Sequence, residues 1–181
     1  MKTFYKIIKY ITFPGSLLKG FLEQLFCRIF HIPVTNSEYM QDNELCGHVE
    51  HDLAGKKGSF AICWFPHIIM LVLGLFIALP GAIHFFYLGQ FDVLSLILFY
   101  VGVSFLTNCN PLEDDAINMW DHLFGKDADA RTVSKVFMAI PAAIMYAFSF
   151  VEKYGLTIVT AFLLNWGFPY FFALFFPAGL K

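Results

Sequence analysis

"FAICWFPHIIMLVLGLFIALP", residues 60–80, runs for 21 residues without one aspartate, glutamate, lysine or arginine. A helix needs about 20 such residues to cross the ~30 Å hydrocarbon core of a bilayer. Three further stretches are apolar enough to span, the first two of them short at about 17 residues: "DVLSLILFYVGVSFLTN" (92–108), "SKVFMAIPAAIMYAFSF" (134–150) and "LTIVTAFLLNWGFPYFFALFFPA" (156–178). Only 14% of the 181 residues are charged, against about 25% in a soluble domain, and 23 are phenylalanine. A single soluble core of this size could not hide them all. The expected fold is therefore an all-α polytopic membrane protein, one domain over 1–181, with about four transmembrane helices. Pro66, Pro141 and Pro169 lie inside these stretches and are expected to kink them, since neighbouring helices can satisfy the freed carbonyls.

Charge in the connections gives an orientation. Lys2, Lys6 and Lys9 lead the chain, Lys56 and Lys57 precede the first span, and Lys126 and Arg131 lie between the second and third. The loop 81–91 has no lysine or arginine. Positive loops stay in the cytoplasm, so the N-terminus is expected there, in a chain integral to the membrane. "MKTFYKIIKY" lacks a short apolar core with an A-x-A cleavage site, and reads as retained. The net charge of −2 gives no expectation of nucleic acid. The four scattered cysteines predict no disulfide framework.

Upstream of the spans, "TFPGSLLKGFLEQLFCRIF" (12–30) is apolar yet carries Lys19, Glu23 and Arg28. At 100° per residue, Ser16, Lys19, Glu23 and Cys27 form one stripe, with Gly20 beside it. The segment predicts an N-terminal helix that is interfacial or partly inserted. Lys19 and Glu23 at i,i+4 can pair, worth about 0.2–0.5 kcal/mol where exposed. A polar, cytoplasmic-side loop follows at 31–58, with a short strand expected in Val34–Tyr39 and a turn at Asp42–Asn43.

Two polar constellations stand out. "ELCGHVEH" (44–51) gathers Cys46, His48, Glu50 and His51, side chains of the zinc ligand set, though their spacing matches no familiar zinc motif. "TNCNPLEDDAINMWDHLFG" (107–125) places Asn108, Asn110, Glu113, Asp114 and Asp115 at or directly after the end of a span. Acids at membrane depth usually face the protein interior. Asn110 could cap a helix started by Pro111, with Glu113 and Asp114 in its first turn. That leaves Asp115 as the acid with a separate task. His67 and His84 are lone residues expected to be packed or interfacial.

Taken in order, "FPGSLLKGFLEQLFCRIFHIPV", "GHVEH" and "NCNPLEDDAINMW" resemble the motifs of the site-2-protease-like membrane zinc metalloproteases, in their short prokaryotic branch. The resemblance implies a bacterial or archaeal plasma-membrane protein built around a metal-binding helix. Its H-E-x-x-H falls here on Lys19, Gly20, Phe21, Leu22 and Glu23, a degenerate form. A lysine repels zinc and a glycine cannot act as base. The reading that follows is a catalytically degenerate, pseudoprotease-like protein, with Lys19, Glu23 and Asp115 as a structural ion pair and no cofactor. It would bind a membrane segment, a partner protein or lipid in the former protease cleft. The alternative is an active hydrolase with zinc on His48, His51, Glu23 and Asp114 or Asp115, Glu23 and Asp115 being its catalytic candidates. A third class is a small channel or transporter component using Lys19 and Asp115 along a polar path.

Overall fold

The structure is a computed structural model describing residues 2–40, 46–51, 59–125 and 132–175. Among the described residues seven α-helices and one strand pair follow in chain order. They are α1 (Lys2–Ile11), α2 (Phe13–Ile29), β1 (Val34–Asn36), β2 (Glu50–His51), α3 (Ser59–Ile83), α4 (Val93–Thr107), α5 (Glu113–Phe124), α6 (Thr132–Lys153) and α7 (Thr157–Phe175). The fold is mostly helical, as the composition predicts. The expected turn at Asp42–Asn43 and the lysines at 56 and 57 lie outside the described residues.

Among the described residues three helices are long and apolar enough to cross a membrane: Phe60–Leu88, Lys135–Lys153 and Thr157–Phe175. The first outruns its predicted end because a π-helical turn, His84–Leu88, extends it past Pro80 before Gly89 closes it. Pro66, Pro141 and Pro169 are all carried inside continuous helices. The expected span at 92–108 is a shorter matter. Asp92 caps it by accepting from the Ser95 amide, and α4 then runs for 15 residues. At 1.5 Å per residue that is about 22 Å, less than the hydrocarbon core.

Packing follows side-chain size. On α3, Gly74 and Ala78 meet Gly102 of α4, and a Cβ on Gly102 would lie 2.4 Å from the Ala78 Cβ. It would also lie 2.7 Å from the Gly74 carbonyl oxygen. Small residues let these two backbones approach closely, as at membrane helix interfaces. The N-terminal half of α3 packs on α5 and α6 through Cys63, Ala116, Met119, Leu123, Ala142 and Met145. The C-terminal half meets α7, where Phe76 sits edge-on to Phe168 at 5.6 Å. Consecutive helices α6 and α7 thus serve opposite ends of α3, turning at Gly155 (φ 69°). α2 packs against both α3 and α4.

The expected cap of α5 does not form at Asn110. The helix begins after Leu112, whose backbone is extended and whose side chain makes no capping bond. The strand expectation holds for Val34–Asn36, which pairs antiparallel with Glu50–His51 and tethers that segment beside α2.

The α3–α4 seam gives a direct test. Gly102→Val should destabilise the protein by about 1–3 kcal/mol or more through overpacking against backbone. Gly167→Ala, inside α7 where an added Cβ meets nothing within 4 Å, should leave the detergent melting temperature unchanged or slightly raised.

Candidate functional site

α2 brings its polar stripe to the inside. Ser16, Lys19, Glu23 and Cys27 are fully buried. The helix starts at "TFPGS", a junction locked onto α4. Ser104 Oγ donates to the Thr12 carbonyl at 2.8 Å and accepts from the Gly15 amide at 2.8 Å. Asn108 Nδ2 donates to Thr12 Oγ1 at 2.9 Å, while its Oδ1 accepts from Ser16 Oγ at 3.1 Å. Gly15 permits this approach, since a Cβ there would lie 2.1 Å from the Ser104 carbonyl oxygen. Every group at this junction is a neutral donor or acceptor with a partner, which is what burial requires.

One turn further in lies an ionic cluster. Lys19 Nζ is 3.0 Å from His48 Nε2 and donates to the Asn110 carbonyl. His48 Nδ1 is 3.1 Å from Glu23 Oε1, and the Val49 amide donates to Glu23 Oε2 at 2.9 Å. An ammonium only donates, so His48 accepts at Nε2 and its Nδ1 proton faces Glu23. Beside this relay Lys9 Nζ meets Glu152 Oε1 at 2.6 Å, and that oxygen is 3.8 Å from His48 Nε2. Two lysines and two glutamates at their ordinary charges sum to zero around one neutral imidazole. Buried charges persist when paired and hydrogen-bonded.

The loop that delivers His48 is built for the purpose. The Gly47 amide donates to the Tyr39 carbonyl at 2.7 Å, and Gly47 adopts φ 85°, which favours glycine. Tyr39 lies across α2 with its hydroxyl on Gln24 Oε1. Its ring occupies the space over Gly20, where an added Cβ would be 2.6 Å from Tyr39 Cδ1. The position where the resemblance would require a base is therefore filled by an aromatic ring.

The candidate residues divide into two groups. Lys19, Glu23 and His48 meet, whereas His51 and Asp115 form a second pair with Nε2 and Oδ1 3.6 Å apart. The peptide of Val49 joins the groups, since its carbonyl faces His51 Nδ1 at 2.6 Å. Among the described residues Lys19 makes no ion pair within 4 Å of Glu23 or Asp115. The expected direct contact is replaced by His48, which stands between Lys19 and Glu23. Asp114 points outward and is exposed. No three histidine, cysteine, aspartate or glutamate side chains among the described residues gather as metal ligands would. All four cysteines are free; Cys27 and Cys46 are buried. His67 is buried, while His84 Nδ1 bonds Ser95 Oγ at 2.5 Å.

Lys9, Glu152 and Ser104 belong to the site and were not among the expected residues, whereas Asn108 stood in the 107–125 constellation. Glu152 carried a signal, being an acid directly after an apolar stretch. Comparison of the chain with protein-family models, with curated proteins and with solved structures finds no match.

Two predictions follow from this geometry. Glu23→Ala should cost about 3–5 kcal/mol, because it leaves buried cations uncompensated. The Lys19→Ala/Glu23→Ala pair should cost less than the sum of the single changes in a double-mutant cycle read from detergent unfolding. The second concerns pH. Burial pushes the Asp115 carboxyl above its ordinary 3.8, against the pull of His51. A raised carboxyl favours the fold when protonated and opposes it once both states are ionised. Asp115→Asn should therefore raise the melting temperature at neutral pH, and the gain should vanish below pH 3.8.

Proposed function

We propose that this chain is a non-catalytic integral membrane protein whose buried ionic cluster is a structural lock. The contact that carries this reading is Lys19 on His48, with Glu23 closed by His48 and the Val49 amide. A hydrolytic zinc site needs an open coordination position and a base for its water. Here a cation takes the imidazole nitrogen that zinc would need, and Tyr39 covers Gly20. The degenerate-protease reading is supported by this pattern more than the active one. The chain then works by binding within the bilayer, through apolar faces that meet lipid or a membrane segment of a partner protein. Its N-terminal lysines place that end on the cytoplasmic side under the positive-inside rule.

Metal analysis tests the reading. The purified protein should carry zinc far below one ion per chain, and His51→Ala should not alter that content. One zinc per chain, lost on His51→Ala, would overturn it in favour of a metal-dependent hydrolase.

A further inference from the structure

We propose that the outer face of α2 lies against the acyl chains of a bilayer, which puts the ionic cluster behind it at membrane depth. This rests on the integral-membrane reading and extends it to a helix that is not among the three candidate spans. The polarity of α2 is inside out. Phe13, Leu17, Phe21, Leu25 and Ile29, four residues apart, are 39–54% exposed, whereas Lys19 and Glu23 are 0% exposed. In water an amphipathic helix turns its apolar face to the core and its charges outward. In hydrocarbon the preference reverses, because ionisable groups face the bundle interior and apolar ones the lipid.

The surroundings select lipid as the occupant. Phe26 stacks on Phe65 of α3 with centroids 5.4 Å apart, so the α2 surface is continuous with the first candidate span. The exposed side chains Phe65, Val72 and Phe76 of that span prolong it. Both ends of the apolar stripe carry a cation and an aromatic residue. At one end Lys6 Nζ lies 5.7 Å from the Tyr10 ring centre; at the other, Arg28 and Phe30 are both exposed. Basic and aromatic residues in this arrangement mark headgroup level. Between them the 17 residues of α2 rise about 25 Å, most but not all of a ~30 Å hydrocarbon core.

Spin labelling of the full chain tests this. Leu17→Cys and Phe21→Cys would each be made in a Cys109→Ala background, with Leu163→Cys on α7 and Glu38→Cys in the loop as controls. Each labelled protein would be reconstituted in phosphatidylcholine–phosphatidylglycerol vesicles, after a melting curve shows that it is folded. Oxygen partitions into hydrocarbon and a nickel chelate into water. Positions 17 and 21 should match the oxygen-to-nickel accessibility ratio of position 163 and exceed that of position 38. Nickel access at 17 and 21 with a lipid-like 163 would overturn the inference and leave the integral-membrane reading standing. Nickel access at 163 as well would overturn both. Shielding of 17 and 21 from both reagents would overturn the inference in favour of a protein contact, such as a second copy.

Discussion

Everything in the N-terminal half of this protein depends on keeping Lys19 and Glu23 charged or partnered while fully buried. An ion taken out of water loses several kcal/mol of hydration, and only close, well-aligned partners offset it. The fold meets this constraint by bringing four separate segments to one point. α2 supplies the two charges, the 46–51 segment supplies His48 and the Val49 amide, residue 110 supplies a carbonyl, and the end of α6 supplies Glu152. Lys9 completes the charge balance from α1. The segments are distant in sequence, so the cluster acts as a clasp between them.

The same constraint explains the small and neutral residues around the clasp. Ser104 and Asn108 hold the α1–α2 junction by hydrogen bonds that carry no charge, leaving the ionic balance one turn away undisturbed. Gly15 and Gly20 allow close approach at the places where α4 and Tyr39 cover the helix. The outcome is a polar interior inside an apolar exterior, the reverse of a soluble domain. That arrangement suits a bilayer.

Much of this architecture was legible in residues and spacing. The charge-free run at 60–80 became the longest candidate span, and the stripe of Ser16, Lys19, Glu23 and Cys27 is indeed one buried face. His48 stood in a marked constellation, but His51 looked the better candidate there, and it is His48 that reaches Lys19 and Glu23. What spacing could not supply is which distant partner each charge meets. Lys19 and Glu23 sit one turn apart and invite a direct pair, but an imidazole from the following loop inserts between them. Such insertion depends on tertiary approach and on Gly47, and helical periodicity carries no trace of it. Asn110 misled for a similar reason. Its place before Pro111 suits a helix cap, yet its carbonyl answers the lysine and α5 starts later. The short α4 shows that an apolar run sets polarity but not span length.

The central claim is that a neutral His48 bridges a cation and an anion in place of metal chemistry. Nitrogen-15 spectra of histidine-labelled protein in bilayers, with His48 assigned by its loss in His48→Gln, measure this most directly. The account predicts one protonated nitrogen, Nδ1, and an unprotonated Nε2 accepting from Lys19, unchanged on adding zinc. A doubly protonated ring, or an Nε2 signal that shifts to a metal-bound position with zinc, would contradict it.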